Sequence, residues 1–489
     1  MGESGRLRAS WLGEPVPSSL HGGMDRGQVI GLDRTSEIAG VEIEAWEGEG
    51  GTLLLEPPDP SPPLPPPEIP EKVKPAAIGL PQIGNTPTVL TSGPIPDSEL
   101  GEDERIVRTL ERYQAFKAHL DKWYHGIDHQ AVLICLSACV GHLFKGDEPV
   151  WVFLLGPSAT AKTVTINLLA SIPGTYVLGD LTPQTLLSGF DRGKKSSLLH
   201  RMGPTPMILF KDFTTLASKR YDDIKQIGTQ LREVYDGEFH KDTGTGKSIQ
   251  WKGKATVVAA GTPAVEHIWT QMRDMGERFM TVRWPRGDGI KQGEAALRQI
   301  GFESQIKVDG NKLLLEFLDQ GSLTPAEIPD ILGEHRDLLY LAELIALVRA
   351  SASRDSGGAR EINNVTQCEG PSRIMKSMAQ TARGHATVFR RMKCNAEDIA
   401  AARRLGMDTL PDLKRKVFEV IPNDYELDLE DISERSGLPI ETCKRACEDM
   451  VASGVLKQSG SGTTKYYEFK ESFQAVLKGA FPGGRVVKG

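Results

Sequence analysis

Residues 150–164 read VWVFLLGPSATAKTV, and this stretch decides how the central part of the chain folds. An apolar run of strand length ends at Gly156, a short polar loop follows, and TVTINLLASI (163–172) then has helical character. A strand, a glycine-containing loop and a helix in this order are typical of phosphate-binding loops, whose pattern is G-x-x-x-x-G-K-[ST]. The chain matches that pattern except at the second glycine, which Ala161 replaces.

The residue types of this loop suit phosphate binding. Backbone N–H groups from Ser158 to Thr163 can surround phosphates at a helix N-terminus. Lys162 can reach the β- and γ-phosphates, and the Thr163 hydroxyl can bind Mg²⁺. A methyl group at position 161 is tolerated if φ is negative there and prohibitive if φ is positive. We therefore predict binding of ATP and Mg²⁺ by Gly156, Pro157, Ser158, Ala159, Thr160, Ala161, Lys162 and Thr163.

Three further apolar runs predict strands on the C-terminal side of this loop. They are MILF (207–210), ATVVAAG (255–261) and FMTVRW (279–284), and helical patterns separate them. Strands that alternate with helices over residues 150–285 predict an α/β fold with a mainly parallel sheet.

Composition excludes some classes of protein. The 489 residues are 39% hydrophobic and carry a net charge of −7, which argues against a chain that mainly coats nucleic acid but leaves room for a local basic patch. No run of about 18 apolar residues and no apolar signal core is present, so we expect a cytoplasmic protein without a membrane span. The six cysteines form no C-x-x-C pair and are expected to be ordinary thiols.

Composition shifts predict five segments. A Pro/Gly-rich arm expected to be disordered precedes a core with leading helices, a helical domain, a winged helix-turn-helix and a frayed tail. The predicted boundaries are 1–100, 101–290, 291–408, 409–475 and 476–489. Within the helical domain, residues 325–405 lack strand-like runs.

An Ala-Lys-[Ser/Thr] ending of the phosphate loop is typical of the minichromosome-maintenance (MCM) helicases, a branch of the AAA+ ATPases, and GPSATAKT (156–163) resembles it. The resemblance runs through roughly residues 100–480 and implies an AAA+ core with a helical lid domain and a C-terminal winged helix. It also implies DNA as a partner and a homo-oligomer, a hexamer when active. No counterpart of the large N-terminal domain of the cellular proteins is found, which favours a phage or mobile-element relative.

The resemblance implies an acidic strand end downstream, where the family has Asp-Glu-Phe. This chain has Lys211-Asp212-Phe213. Asp212 then stands either for the carboxylate on the Mg²⁺ side or for the one that polarises the attacking water. Only one carboxylate occupies a place where two are usual, so hydrolysis could be slow, or Glu233 or Asp236 could supply the second.

The resemblance also implies three residues that act on the nucleotide. VVAAGTPAV (257–265) places Thr262 at the sensor position of the next strand tip. MGERFMTVRW (275–284) places Arg278 where the family supplies an arginine to the neighbour's ATP, with Arg283 as the runner-up. Arg373 matches the arginine that folds over the nucleotide from the lid. We predict catalytic roles for Asp212, Thr262, Arg278 and Arg373.

Two regions are candidates for contact with DNA. DGEFHKDTGTGKSIQWKGKATVV (236–258) reads as a β-hairpin that would project into the pore of the ring, with Lys247 at its tip, Lys241 and other lysines along its flanks, and Trp251 expected to pack its base. In the predicted winged helix-turn-helix, we expect the recognition helix (439–453) to expose basic side chains. The candidates there are Lys444 and Arg445, with Lys457 and Lys465 on the wing.

These features together predict an ATP-hydrolysing DNA motor of MCM-like type, a helicase or remodeller. The alternative is an initiator or regulator that assembles on DNA under ATP control without translocating, which the Lys211-Asp212-Phe213 departure favours. A protein remodeller is a third class, but the hairpin tip GTGKS (244–248) lacks the aromatic residues that would grip a polypeptide.

Overall fold

A five-stranded parallel sheet forms the centre of the computed structural model. The structure describes residues 100–144, 148–158, 160–186, 197–242, 248–266, 278–319, 328–331, 335–354, 362–365, 368–460 and 464–487. The predicted disordered arm lies outside these residues, apart from its last position. The strands of the central sheet, in the order β2-β3-β6-β1-β7, are Thr175–Leu178, Met207–Phe210, Thr256–Gly261, Trp151–Leu155 and Phe279–Arg283.

The central strands are apolar on both faces because helices cover both faces of the sheet. On one face, Val152 and Leu154 of β1 pack in a core with helices that precede the sheet strands in the chain and helices that follow them. On the other face, Trp151, Phe153 and Leu155 pack in a second core that includes helix α5. Continuous apolar runs are the sequence signature of such doubly covered parallel strands, and the predicted α/β fold is confirmed.

Helices before and within the sheet region frame the core. α1 to α5 are Glu102–Trp123, His129–Gly141, Lys162–Leu169, Leu198–Met202 and Tyr221–Asp236, and a short 3₁₀ helix spans Phe213–Ser218. The predicted hairpin is present as β4 (Glu238–Asp242) paired antiparallel with β5 (Ser248–Lys252). Its tip, which includes Lys247, lies outside the described residues.

The region after the sheet is mainly helical, as its sequence predicts. Helices α6 to α10 are Gly289–Gln299, Glu303–Leu318, Arg336–Arg349, Ser372–Val388 and Ala396–Asp408. The expectation that residues 325–405 lack strands is wrong in one place, because Ala352–Arg354 (β8) pairs with Ile362–Val365 (β9). These strands are short and partly polar, so they leave no apolar alternation for a sequence pattern to detect.

The end of α10 closes the open edge of the central sheet. β7 is an edge strand, and its backbone N–H groups would otherwise be exposed to pairing with another chain. The Thr281 N–H donates to Thr409 Oγ1 at 2.9 Å, and the Arg283 N–H donates to Asp408 Oδ2 at 3.1 Å. The C-terminal part of the chain is thereby attached beside the sheet.

Residues 412–469 form three helices and a small antiparallel sheet in the order β10-β12-β11. The helices and strands that the sequence predicts there are present, and β10 is an additional short strand. The helices α11 to α13 are Asp412–Val420, Leu429–Ser436 and Ile440–Ala452, and the strands β10 to β12 are Leu427–Asp428, Leu456–Ser459 and Tyr466–Phe469.

The prediction of a frayed tail is wrong for residues 476–487. Helix α14 (Glu471–Ala480) packs on α8, and Gly479 allows this close approach because a Cβ atom there would lie 2.2 Å from the Tyr340 ring. Arg485 then donates hydrogen bonds to the backbone oxygens of Phe418 and Ile421. Sequence periodicity missed this docking because it is decided by a glycine and by carbonyl groups distant in the chain.

Replacing Gly479 by valine is therefore expected to lower the free energy of unfolding by about 1–3 kcal/mol, the usual cost of inserting methyl groups into a packed contact. The matched control is Gly483→Val, since no atom lies within 4 Å of a Cβ at that position. Thermal unfolding of both variants measures the difference. Equal melting temperatures would contradict the docking of α14.

Among the described residues, none of the helices combines the length and the apolar character needed to cross a membrane.

Candidate nucleotide site

The phosphate-loop stretch leaves the carboxyl end of β1 as predicted. Gly156 follows the last residue of the strand, and its N–H donates to Gly261 O at 3.3 Å. A Cβ atom at position 156 would lie 2.7 Å from the backbone oxygen of Trp284, so only glycine fits between these strands. The first glycine of the pattern is thus required by a close backbone approach. Ala159 lies outside the described residues.

Ala161 directly precedes helix α3, with φ −64° and ψ 15°. This φ is negative, which is the condition under which an alanine methyl group is tolerated at this point of the loop. The departure from the glycine pattern therefore causes no backbone strain at position 161. The loop enters its helix without needing a second glycine.

An Ala161→Gly variant is expected to gain no ATP affinity, because glycine relieves no strain at this φ. It should instead lose about 0.4–1 kcal/mol of stability, since glycine adds freedom to the unfolded chain. Titration of a fluorescent ATP analogue and thermal unfolding would measure the two effects. A tenfold gain in affinity would show that alanine impairs the loop.

Lys162, the first residue of α3, turns back over the loop, and only 6% of its surface is exposed. Its Nζ donates to Gly156 O at 2.9 Å, to Thr160 Oγ1 at 2.9 Å and to Pro157 O. Burial lowers the pKa of Lys162, and the nearby carboxylate of Asp212 opposes that shift. The ammonium group is therefore centred on the loop, within the electrostatic reach of Asp212.

Thr163 and Asp212 are the predicted Mg²⁺ ligands, and both side chains are exposed. Asp212 follows β3 and precedes the 3₁₀ helix, where its Oδ1 accepts a hydrogen bond from the Thr214 N–H at 2.9 Å. A hydroxyl and a carboxylate are ligand types that fit Mg²⁺, which takes few protein ligands and completes its shell with water and phosphate oxygens. Among the described residues, no group of three or more His, Cys, Asp or Glu is placed to hold a metal ion.

Thr262 lies at the end of β6, the strand between β1 and β3. Its N–H donates to Thr214 Oγ1 at 3.0 Å, and the two hydroxyl oxygens are 3.4 Å apart. Parallel strands end at the same edge of a sheet, so the loop, Asp212 and Thr262 share one edge. Thr214 was missed from the sequence, although a threonine two residues after an aspartate at a strand end is a recognisable turn pattern.

Glu233 and Asp236 are wrong as sources of a second carboxylate in their own subunit. Both lie in the last turn of α5, a helix about 24 Å long. Asp236 there accepts two contacts from Arg278 Nη2, at 2.9 and 3.0 Å. The spacing in sequence gave no sign that a long helix separates these residues from the loop.

Arg283 is also occupied within its own subunit. It ends β7 beside the phosphate loop, and its Nη2 donates to Glu266 Oε1 at 2.7 Å and to Leu410 O at 2.6 Å. Arg278 is paired within its subunit in the same way, so this contact does not decide between the two arginines, and Arg283 stays the runner-up prediction. Glu266, one turn after Thr262, was not singled out from the sequence.

Arg278 and Arg373 lie at the opposite edge of the sheet from the loop. Arg278 precedes β7, whose first residue pairs with Trp151 at the start of β1, and β1 spans about 13 Å. Arg373, in the first turn of α9, lies near the same place, since both guanidinium groups contact the Tyr235 ring. Arg373 therefore lies away from the phosphate loop of its own subunit, and its role at a nucleotide stays a prediction.

The lysines of the predicted hairpin have mostly internal partners. Lys241 Nζ donates to Pro183 O at 3.2 Å, Lys252 pairs with Glu238 at 2.7 Å, and Lys254 donates to Phe144 O at 2.8 Å. These contacts give Lys241 a structural role and argue against its prediction as a DNA ligand. Trp251 is 3% exposed and donates to Gly203 O at 2.9 Å, so its predicted packing role is confirmed.

The predicted DNA-contacting side chains of α13 lie in a mixed electrostatic environment. Lys444 is 3.8 Å from Glu441, and Arg445 is exposed. Lys457 on β11 pairs with Glu468 at 2.9 Å. The surface around the helix therefore carries both signs of charge, as the nearly balanced sequence of this block indicates.

Comparison of the sequence with models of protein families and with curated proteins gives no match.

Proposed function

We propose that this chain is an AAA+ ATPase of MCM-like type, an oligomeric motor that couples ATP hydrolysis to movement along DNA or its remodelling in the cytoplasm. One observation carries the proposal. The phosphate-loop stretch, Asp212 and Thr262 end three adjacent parallel strands at one edge of the sheet. Polar groups converging at that edge form a common type of ligand site in α/β proteins.

Nucleotide binding would exchange internal contacts of the loop for contacts with phosphate. Lys162 Nζ is held by loop oxygens, and a charge-assisted bond to a phosphate oxygen is stronger than bonds to neutral carbonyls. Backbone N–H groups at the start of α3 add donors for the same oxygens. Thr163 and Asp212 would hold Mg²⁺, which when bound neutralises charge on the β- and γ-phosphates.

The supply of carboxylates limits the proposed hydrolysis. Asp212 must serve the metal, the attacking water or both, and Thr262 with Thr214 offers hydroxyl groups to orient the water. Glu266 lies at the same edge, but its Oε1 is held by Arg283. We therefore expect slow turnover in the absence of DNA and of an assembled oligomer.

The position of the two arginines that we predict to be catalytic supports an oligomer. Arg278 and Arg373 lie at the far edge from their own loop, so each could reach the phosphates of a neighbouring copy instead. An arginine supplied from a neighbour stabilises the charge that develops on the phosphoryl group. A hexamer is the ring size that the MCM resemblance implies.

Two C-terminal regions have the element order that the proposal requires. We propose that the helices between Gly289 and Asp408 form the lid and that the three helices and small sheet of residues 412–469 form the winged helix, and the order of these elements supports this assignment. Contact with DNA would come from Lys444 and Arg445 on α13 and from Lys247 on the hairpin. Mixed charge around α13 and the small number of basic residues predict a weak contact whose affinity depends only modestly on salt, because the salt dependence grows with the number of phosphates contacted.

The alternative is an ATP-controlled initiator that assembles on DNA without moving along it. The single carboxylate at Lys211-Asp212-Phe213 favours this alternative, because assembly needs only ATP binding whereas movement needs repeated hydrolysis.

Unwinding of a forked DNA duplex by the purified chain separates the two functions. The motor reading predicts ATP-dependent strand separation that Asp212→Asn abolishes while ATP binding persists. ATP-dependent assembly on DNA without strand separation, unchanged by Asp212→Asn, would overturn the motor and support the initiator.

A further inference from the structure

Tyr235 brings the two predicted catalytic arginines together. The guanidinium carbon of Arg278 is 5.3 Å from the centre of the Tyr235 ring, and that of Arg373 is 6.0 Å from it. Three separate elements meet here, namely the end of α5, the start of β7 and the first turn of α9. A ring that contacts two cations fixes both by the attraction of cations to its π face.

The Tyr235 ring is itself fixed in the core. It is 6% exposed and meets the Trp151 ring edge to face, with 5.2 Å between the ring centres and 79° between the planes. Burial raises the pKa of Tyr235 to about 12, so its hydroxyl group stays neutral. The ring can therefore act as a rigid support without adding charge.

Each arginine is paired with a carboxylate of its own subunit. Arg278 binds both oxygens of Asp236, and Arg373 binds Glu369. Arg278 is buried whereas Asp236 is 50% exposed, so the carboxylate is the more accessible partner. In this conformation the two positive charges are neutralised within the subunit.

Both carboxylates have a second cation close by. Arg232 Nε lies 3.9 Å from Asp236 Oδ2. The charge of Glu369 acts on the buried Arg349, where it opposes the lowering of the pKa that burial causes. Asp236 and Glu369 would thus retain opposite charges nearby if Arg278 and Arg373 turned to another anion. This reduces the cost of releasing the arginines.

We infer that Tyr235 is a positioning residue that presents Arg278 and Arg373 as a pair, and that Asp236 and Glu369 are resting partners which the terminal phosphate of a neighbouring copy's nucleotide displaces. The inference rests on the proposed function and adds a residue and a resting state to it. Arginine suits this exchange, since its planar donors bind carboxylate and phosphate in the same bidentate manner. A surface cleft of about 340 Å³, lined in part by Arg373, Glu369 and Ser372, opens beside the pair.

A mixture of two variant chains tests the inference. The donor carries Lys162→Ala, which disables its loop but leaves its arginines; the acceptor carries Arg278→Ala with Arg373→Ala, which leaves only its loop. Each chain alone is expected to be inactive, and the mixture active. Tyr235→Leu on the donor should lower turnover of the mixture about tenfold, because misplaced catalytic groups lose rate steeply. The same substitution on the acceptor should change it less than twofold.

Comparing Tyr235→Leu on the donor with Tyr235→Leu on the acceptor separates a positioning role from a purely structural one. Misfolding would lower turnover whichever chain carried the substitution. Tyr235→Phe on the donor should restore turnover to within twofold, because it keeps the ring. Asp236→Asn on the donor should raise turnover, because it removes a competitor for Arg278. Equal losses from both placements of Tyr235→Leu would overturn the inference alone. If the mixture with unaltered Tyr235 shows no ATP turnover, arginines are not supplied between subunits, and the inference fails with that part of the proposed function.

Discussion

Lys162→Ala is expected to weaken ATP binding about 100-fold and to abolish measurable turnover. The ammonium group is buried at the centre of the loop, and a hydrogen bond to a charged group contributes about 1.5–3 kcal/mol. Alanine removes that group and also the contacts by which Lys162 ties Gly156 to Thr160. Titration with a fluorescent ATP analogue measures the affinity, and phosphate release measures turnover.

The matched control for this prediction is Lys307→Ala, which removes an exposed lysine from α7. It should bind ATP with unchanged affinity. Lys162→Met serves as a second variant, because it keeps most of the apolar stem and separates loss of charge from loss of packing. If Lys162→Ala binds ATP as tightly as the unaltered chain, the loop does not hold phosphate.

Arg278→Ala is expected to lower the turnover number at least about 10³-fold while ATP affinity falls only slightly. The reason is that an arginine supplied between subunits acts mainly on the transition state, where such groups contribute factors of 10³–10⁵. Turnover should return when the variant is mixed with Lys162→Ala chains, which supply intact arginines. Phosphate release over a range of mixing ratios measures this recovery.

Arg278 is buried and paired with Asp236, so its removal also threatens stability. Arg278→Lys keeps a positive charge but loses the planar fork, and it should fold while remaining slow. Arg298→Ala, on an exposed position of α6, should behave as the unaltered chain. Unaltered turnover in folded Arg278→Ala protein would exclude the arginine from catalysis.

The central sheet could be predicted from sequence because its strands are continuous apolar runs and its loop has a fixed pattern. Trp151 to Leu155 are all buried, and such runs identify strands covered on both faces. The phosphate-loop stretch and Asp212 lie within two residues of the ends of their strands, so the positions of the strands suffice to place them at one edge of the sheet. The φ angle of Ala161 could not be predicted in this way, because the identity of the residue does not determine it.

Residues far from a strand end could not be placed in this way. Asp236 belongs to a helix whose length, and not its distance in sequence from Asp212, decides where the carboxylate lies. Arg373 depends on how α9 packs over the amino edge of the sheet, and Gly479 depends on a ring more than a hundred residues away. Each of these contacts joins segments whose spacing in the chain carries no periodic signal.

The rate of ATP hydrolysis by the purified chain, with and without single-stranded DNA, shows whether the phosphate loop and Asp212 form a working ATPase site. Lys162→Ala and Asp212→Asn should be measured beside it at the same protein concentration. We expect slow turnover that rises several-fold with DNA and vanishes in both variants. Turnover that is absent under all conditions, or that persists in both variants, would contradict an ATPase site built from the phosphate loop and Asp212.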